Sequence, residues 1–276
     1  MKRSPYDDPD PTVPSDWIVW QKPIRDLQGR WFTGFTRWVS KAVRTRPHND
    51  SWTAWESVVE FMRFENIDDD PAPEDIRITY SAWGEEALRV PHYANPMLSI
   101  AQEPGLVRLP DERLFCTMRT MTGYIWYSVS ADDGASWSSP APLLRSDHGL
   151  PILQPLYWCP IYTLCDGRFI LLHHNNDGRF EGCEPEDTRH NRRPAFIVLG
   201  EFRPHAEQPI WFSPSKQFMD NGGVGIGPLK RMDIGVYPSF QNRGGNDVLW
   251  HRDRKFFLLG KRVTSEWLAD LEVPTK

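Results

Sequence analysis

The sequence predicts an all-β protein of the class in which several small antiparallel sheets repeat along the chain as propeller blades. Composition gives the first indication, because the 276 residues include 25 Pro, 19 Gly and 13 Trp. Pro and Gly mark turns and interrupt helices, whereas aromatic side chains favour pleated, half-buried surfaces. The second indication is a repeat of short apolar runs and polar turns. The third is a polar corner motif in the middle of the chain.

The apolar runs fall into four groups, which recur with a period of roughly 50–60 residues. Each run is short and ends at a turn signal, so each group is predicted to form one sheet. In chain order the runs are WIVWQ, RWFTGFTRW, SVVEFMRFE and IRITYSAW; GLVRL, RLFCTMRT and YIWYSVS; PIYTL, RFILLHHN and AFIVLGEF; and VYPSF, DVLWHRD and KFFLLGKRV. SEWLADL, near the end, fits either one helical turn or a closing strand.

Two stretches in different groups share the same internal pattern. LVRLPDERLFCTMRT and IYTLCDGRFILLHHN both carry D-x-R followed by two apolar residues. Repeated units of about four strands are typical of propeller blades, and a β-sandwich with similar turns is the alternative. We therefore predict a polar, Pro-rich lead-in over residues 1–16 and a single, partial propeller domain over residues 17–276.

Charge and patterning argue against several classes of function. The net charge of -5 and the pI near 5.9 disfavour nucleic acid as a partner. The sequence has no apolar run of the roughly 18 residues that a transmembrane helix needs, so no membrane partner is expected. Its four Cys follow no zinc pattern, and we expect no metal and no cofactor. The first residues lack the apolar segment of a signal peptide. A genuine start would imply the cytoplasm, but localisation is otherwise undecided.

The corner motif is S-A-D-D-G-A-S-W, which fits the pattern S-x-D-x-G-x-[ST]-W. Its fixed positions are Ser130, Asp132, Gly134, Ser136 and Trp137. An Asp can bond the backbone of its own turn, a Gly can take a positive φ, and the Trp can pack back against the sheet. Two adjacent carboxylates invite a catalytic interpretation, but the pattern favours a structural corner for both Asp132 and Asp133.

This motif resembles the Asp box of sialidases (neuraminidases) and other BNR-repeat propellers. The resemblance implies a sialidase-type, six-bladed fold, of which about four blades are present here. Sialidases bind the carboxylate of an acidic sugar with three Arg side chains, and they use a Tyr nucleophile with a Glu base. A separate Asp serves as their acid/base. In that family the Asp boxes lie away from the substrate.

AQEPGLVRLPDERLFCTMRT resembles the stretch that pairs the family's Glu with its second carboxylate-binding Arg, which implies those roles for Glu103 and Arg119. Two antiparallel strands joined by a short turn bring their far ends together, so these two side chains are predicted neighbours. The alternative is an ordinary cross-strand ion pair, which contributes little when it is exposed.

Two further stretches resemble the family's remaining catalytic segments. HNRRPAFIVLG implies Arg193 as another carboxylate ligand, with Arg192 as the fallback. Its alternative is a pair of loop cations beside the acidic CEPED segment. DIGVYPSFQNRGG implies Tyr237 as the nucleophile, activated by Glu103. A strand aromatic in the core is the alternative for Tyr237.

His173 and His174 end a strand and are candidates for substrate binding. No stretch matches the first carboxylate-binding Arg or the acid/base Asp, so a missing N-terminal segment of the same propeller is an expected partner. The predicted function is an exo-sialidase-like glycoside hydrolase that releases a terminal acidic sugar from a glycan by a retaining Tyr/Glu mechanism. Activity of the isolated chain is left open. The alternatives are a non-catalytic glycan-binding propeller and a uronate-specific polysaccharide lyase, which would use the histidines.

Overall fold

The computed structural model describes residues 9–11, 13, 22–41, 55–93 and 95–275. In these residues sixteen strands form four antiparallel sheets of the kind that serve as propeller blades, which confirms the predicted fold class. The chain divides into two compact units. Unit 1 comprises Met1–Thr120 with Trp126–Ala141, and unit 2 comprises Met121–Ile125 with Pro142–Lys276. The predicted strand WIVWQ and most of the predicted lead-in lie outside the described residues.

Unit 1 contains the first two sheets, each with its strands in chain order. The first sheet consists of β1 (Ile24–Arg25), β2 (Trp31–Ser40), β3 (Glu56–Phe64) and β4 (Ile78–Ser81). The second consists of β5 (Gln102–Arg108), β6 (Leu114–Arg119), β7 (Trp126–Ser130) and β8 (Ala141–Pro142), the last at the unit boundary. Their core is a cluster of Phe, Leu, Val and Met side chains, against which Trp126 and Trp137 pack.

Unit 2 contains the other two sheets. The strands of the third are β9 (Ile161–Thr163), β10 (Phe169–His173), β11 (Ala195–Phe202), β12 (Ile210–Phe212) and β13 (Lys216–Met219). They pair in the order β12-β11-β10-β9, and β13 also pairs with β11. The fourth consists of β14 (Ile234–Arg243), β15 (Asn246–Asp253) and β16 (Phe257–Val263). SEWLADL forms a helical turn, α1 (Ser265–Leu268), capped by the Thr264 side chain.

The two D-x-R stretches fold into the same turn. In the β5–β6 hairpin the Leu109 amide donates to the Arg113 carbonyl at 2.8 Å, and in the β9–β10 hairpin Leu164 donates to Arg168 at 2.8 Å. In each turn the Arg side chain pairs with the Asp two residues before it. A residue of positive φ precedes each Arg. The similarity in sequence therefore reflects a local turn, which fixes the register of both hairpins.

Among the described residues, no helix has the length and apolar character needed to cross a membrane.

Candidate functional site

The polar corner of unit 1 is held by its own side chains. The Asp132 carboxylate accepts bonds from the Ser136 amide at 2.8 Å, the Ser136 hydroxyl at 2.5 Å and the Ser130 hydroxyl at 2.8 Å. Burial alone would raise the pKa of Asp132, but these bonds outweigh it and lower the pKa. Gly134 has φ +87°, and the Trp137 ring stacks on Phe61 at 4.1 Å. Asp132 is therefore fully engaged in shaping a turn.

The neighbouring carboxylate of Asp133 joins this corner to the first sheet. It accepts a bond from the Leu27 amide at 2.8 Å and pairs with Arg108 at 2.6 Å. Its backbone carbonyl accepts a bond from Arg63 on β3 at 2.7 Å. The carboxylate and the backbone carbonyl of Asp133 are thus both engaged within the protein. The contacts of the whole corner are those of a structural element.

Glu103 and Arg119 meet at the far end of the β5–β6 hairpin, as the antiparallel geometry predicts. The Glu103 carboxylate lies 2.8 Å from the Arg119 guanidinium, and both side chains are at most 1% exposed. Glu103 adopts φ +46° where the register between β5 and β6 shifts. Its amide donates to the Thr36 hydroxyl at 2.7 Å. A buried ion pair is weak support for stability, whereas unusual backbone at a buried carboxylate is typical of functional sites.

A second buried ion pair lies on the first sheet and was not predicted from the sequence. Arg37 on β2 lies 2.8 Å from Glu60 on β3, and both side chains are at most 5% exposed. Glu60 also accepts a bond from the Gly84 amide at 2.9 Å. The sequence signal is an Arg and a Glu that lie in the middle of strands rich in aromatic and aliphatic residues. Unit 1 therefore holds two buried ion pairs, Arg37 with Glu60 and Arg119 with Glu103. They are connected because the Glu103 amide bonds Thr36, the residue before Arg37.

Tyr237 lies in unit 2, in an irregular part of β14. Its backbone has φ +48°, and it lies where the register between β14 and β15 shifts between Val236 and Ser239. The ring stacks near Trp158, with 6.1 Å between ring centroids, and lies 6.0 Å from Tyr157. The Lys255 ammonium lies 5.3 Å from the ring centre. Tyr237 is therefore partly buried among aromatic rings and close to a cation, a neighbourhood that the sequence did not indicate.

The two adjacent arginines of unit 2 point to different surroundings. The Arg192 guanidinium lies 5.2 Å from the centre of the Tyr157 ring and donates to the Leu156 carbonyl at 2.6 Å. Arg192 is therefore part of the aromatic cluster that includes Tyr237. Arg193 instead pairs with Glu181 and lies 3.9 Å from Asp220.

The surroundings of Arg193 form a separate cavity within unit 2. The cavity measures about 460 Å³, and its lining includes Cys183, His190 and Gly223. Two carboxylates compensate the charge of Arg193 there. Of the two candidates for a carboxylate ligand, the fallback Arg192 is the one that shares a cluster with Tyr237.

His173 and His174 are buried and bonded within the fold. The Nδ1 atom of each ring lies 3.0 Å from a backbone carbonyl, Leu153 for His173 and Pro194 for His174. Burial lowers the pKa of both imidazoles to about 3, so both are neutral near pH 7. Their side chains are 1% and 2% exposed, about as buried as those of Glu103 and Arg119.

No family model and no curated protein matches the chain. Among solved structures it is similar to the intramolecular trans-sialidase of Ruminococcus gnavus in complex with oseltamivir carboxylate, with a TM-score of 0.51, 16% identity and coverage of 91% of this chain. The fold is a sialidase-like β-propeller. This chain spans 43% of the trans-sialidase. It is also similar to a protein of unknown function from Dyadobacter fermentans, with a TM-score of 0.48 and 12% identity over 91% of this chain and 69% of that one. A third similar structure is the Trypanosoma rangeli sialidase in complex with sialic acid, with a TM-score of 0.47 and 11% identity. That match covers 94% of this chain and 35% of the sialidase.

Proposed function

We propose that this sialidase-like propeller acts on a terminal acidic sugar of a glycan, as a retaining glycoside hydrolase. The observation that carries the proposal is the arrangement around Tyr237, whose backbone takes a left-handed conformation that Tyr rarely adopts. Such conformations persist only where the surrounding structure holds them, and they cluster at active sites. A buried Arg in the same cluster supplies the charge that a sugar carboxylate needs.

In this proposal the Tyr237 hydroxyl attacks the anomeric carbon and gives its proton to a base, the role that the sequence resemblance implies for Glu103. The bond to the leaving oxygen breaks and that oxygen takes up one proton from solvent. Water then attacks the anomeric carbon and its hydroxyl stays on the released sugar. The other proton of that water returns to solvent, and the phenolate regains the proton held by the base. A neutral phenol avoids the repulsion that a carboxylate nucleophile would meet beside an anionic sugar. Arg119 is the proposed carboxylate ligand of unit 1.

For the carboxylate ligand of unit 2 the sequence match favours Arg193, whereas the geometry favours Arg192. Arg193 is already compensated by Glu181 and Asp220. An Arg fork binds a carboxylate with two parallel bonds, which Lys cannot reproduce. We therefore expect Arg192→Lys to raise the KM for an acidic sugar more than Arg193→Lys does.

The test is to incubate the protein with glycans that end in an acidic sugar and to analyse the products. Release of a free acidic sugar that is lost in Tyr237→Phe supports the proposal. Tyr162→Phe is the matched control, because Tyr162 is another partly buried tyrosine of unit 2, and its hydroxyl bonds the Pro238 carbonyl at 2.8 Å. An unsaturated product that absorbs in the ultraviolet would indicate a lyase instead. Binding without any product, unaffected by Tyr237→Phe, would indicate a glycan-binding module.

A further inference from the structure

Tyr157 makes two hydrogen bonds to the segment that carries Tyr237. Its hydroxyl donates to the Gly235 carbonyl at 2.8 Å and accepts the Tyr237 amide hydrogen at 2.6 Å. The two tyrosines are 80 positions apart in the sequence. One hydroxyl therefore bonds the backbone on both sides of Val236, within a strand whose regular pairing is interrupted.

The backbone between these two bonds is unusual and needs support. Gly235 has φ +65° and Tyr237 has φ +48°. The ladder to β15 pairs Val236 with Arg252 and resumes only at Ser239 with Trp250, so register shifts lie on both sides of Val236. A left-handed conformation is unfavourable for a residue with a side chain, because its Cβ crowds the following carbonyl oxygen. Contacts from outside the strand must offset that cost, and the Tyr157 hydroxyl supplies two of them.

Tyr157 is itself held firmly. It is 1% exposed, the His174 ring meets it edge-on at 4.8 Å, and the Arg192 guanidinium lies 5.2 Å above its ring. Burial, and to a lesser degree the nearby Tyr237, raises the pKa of Tyr157 well above its usual value. The hydroxyl therefore keeps its proton throughout the working pH range and remains a donor to Gly235.

We propose that Tyr157 is a positioning residue, which fixes the backbone of Tyr237 and thereby the direction in which the Tyr237 side chain is presented. The catalytic consequence of this inference rests on the proposed function. The structural part, that the Tyr157 hydroxyl holds the Tyr237 amide, stands on the two bonds alone.

The experiment compares Tyr157→Phe, which removes the hydroxyl and keeps the ring, with Tyr162→Phe. The control removes a hydroxyl that bonds the carbonyl of Pro238, the residue after Tyr237, and it leaves the bond to the Tyr237 amide in place. Labelling with ¹⁵N-tyrosine gives eight amide signals in the parent protein, and the Tyr237 signal is the one lost in Tyr237→Phe. Hydrogen exchange at that amide should be roughly tenfold faster in Tyr157→Phe and unchanged in Tyr162→Phe.

Turnover provides the second measurement. We expect Tyr157→Phe to lower kcat on the order of 10²-fold, because a displaced reacting group loses its alignment, while KM changes little. Unchanged exchange at the Tyr237 amide would overturn the inference, and faster exchange with unchanged kcat would overturn the positioning role. A parent protein that releases no acidic sugar would instead overturn the proposed function. In that case the exchange measurement alone decides whether Tyr157 holds Tyr237.

Discussion

Acidification should destabilise unit 2 well before its carboxylates begin to titrate, because His173 and His174 are buried in the neutral form. Burial lowers the pKa of each imidazole to about 3, from an ordinary value of 6.5. Since the unfolded chain binds these protons more readily than the folded one, stability falls as the pH drops below 6.5, and the loss continues until about pH 3. Well above pH 6.5 the two histidines are neutral in both the folded and the unfolded chain, so they should add no pH dependence to the stability.

The size of the effect follows from the two pKa values. Each histidine contributes at most about 1.4 kcal/mol per pH unit, so the pair gives a slope of about 2.7 kcal/mol per unit below roughly pH 6. Between pH 8 and pH 5 the expected loss is about 4 kcal/mol. Because typical domains are stable by only 5–15 kcal/mol, such a loss is readily measured.

The assay is urea unfolding at several pH values between 8 and 5, with the free energy of unfolding plotted against pH. His173→Asn and His174→Asn, which keep a donor near each carbonyl, should each reduce the slope by up to about 1.4 kcal/mol per pH unit. His205→Asn changes an exposed residue of the same unit and should leave it unaltered. A flat profile for the parent protein, or a slope that survives in both variants, would refute the reasoning.

Two further predictions concern unit 1, each with a matched comparison. Glu103→Gln leaves the Arg119 charge buried without its carboxylate, so the free energy of unfolding in urea should fall by about 3–5 kcal/mol. Asp111→Asn breaks a more exposed ion pair and should lower it by less than about 1 kcal/mol. Equal losses would contradict this account. Gly134→Ala would place a Cβ atom 2.4 Å from the Phe32 ring at φ +87°, and should cost about 2–4 kcal/mol in thermal or chemical unfolding. Gly167→Ala has a similar φ and open space, so its cost should stay near 1 kcal/mol.

Much of the fold could be predicted because its signals are local. Short apolar runs and D-x-R turns each specify a hairpin within about fifteen residues, and the corner motif specifies its own hydrogen bonds. The proximity of Glu103 and Arg119 followed from hairpin geometry alone. Their complete burial did not, because it depends on tertiary contacts, such as that of the Glu103 amide with Thr36 on the first sheet.

The surroundings of Tyr237 could not be predicted from the sequence to the same extent. Adjacent residues of an extended chain point to opposite sides, so the choice between Arg192 and Arg193 depends on a register that sequence similarity does not resolve. Tyr157 acts from a loop 80 positions away, and no pattern in the sequence connects it with Tyr237. The left-handed conformation of Tyr237 is likewise imposed by tertiary contacts rather than by local preference.

The contacts of Asp133 limit how far these sheets can be regarded as interchangeable modules. The corner motif leaves that position variable, yet Asp133 contacts Leu27, Arg63 and Arg108. A sheet transplanted into another propeller with only the motif's fixed positions preserved would keep its own turn and lose the bonds of the Asp133 carboxylate to Leu27 and Arg108. Compatibility between neighbouring blades thus depends in part on Asp133, a position that the consensus of the motif leaves unspecified. A chimaera should therefore keep both Asp133 and the turn at Leu27 that it contacts.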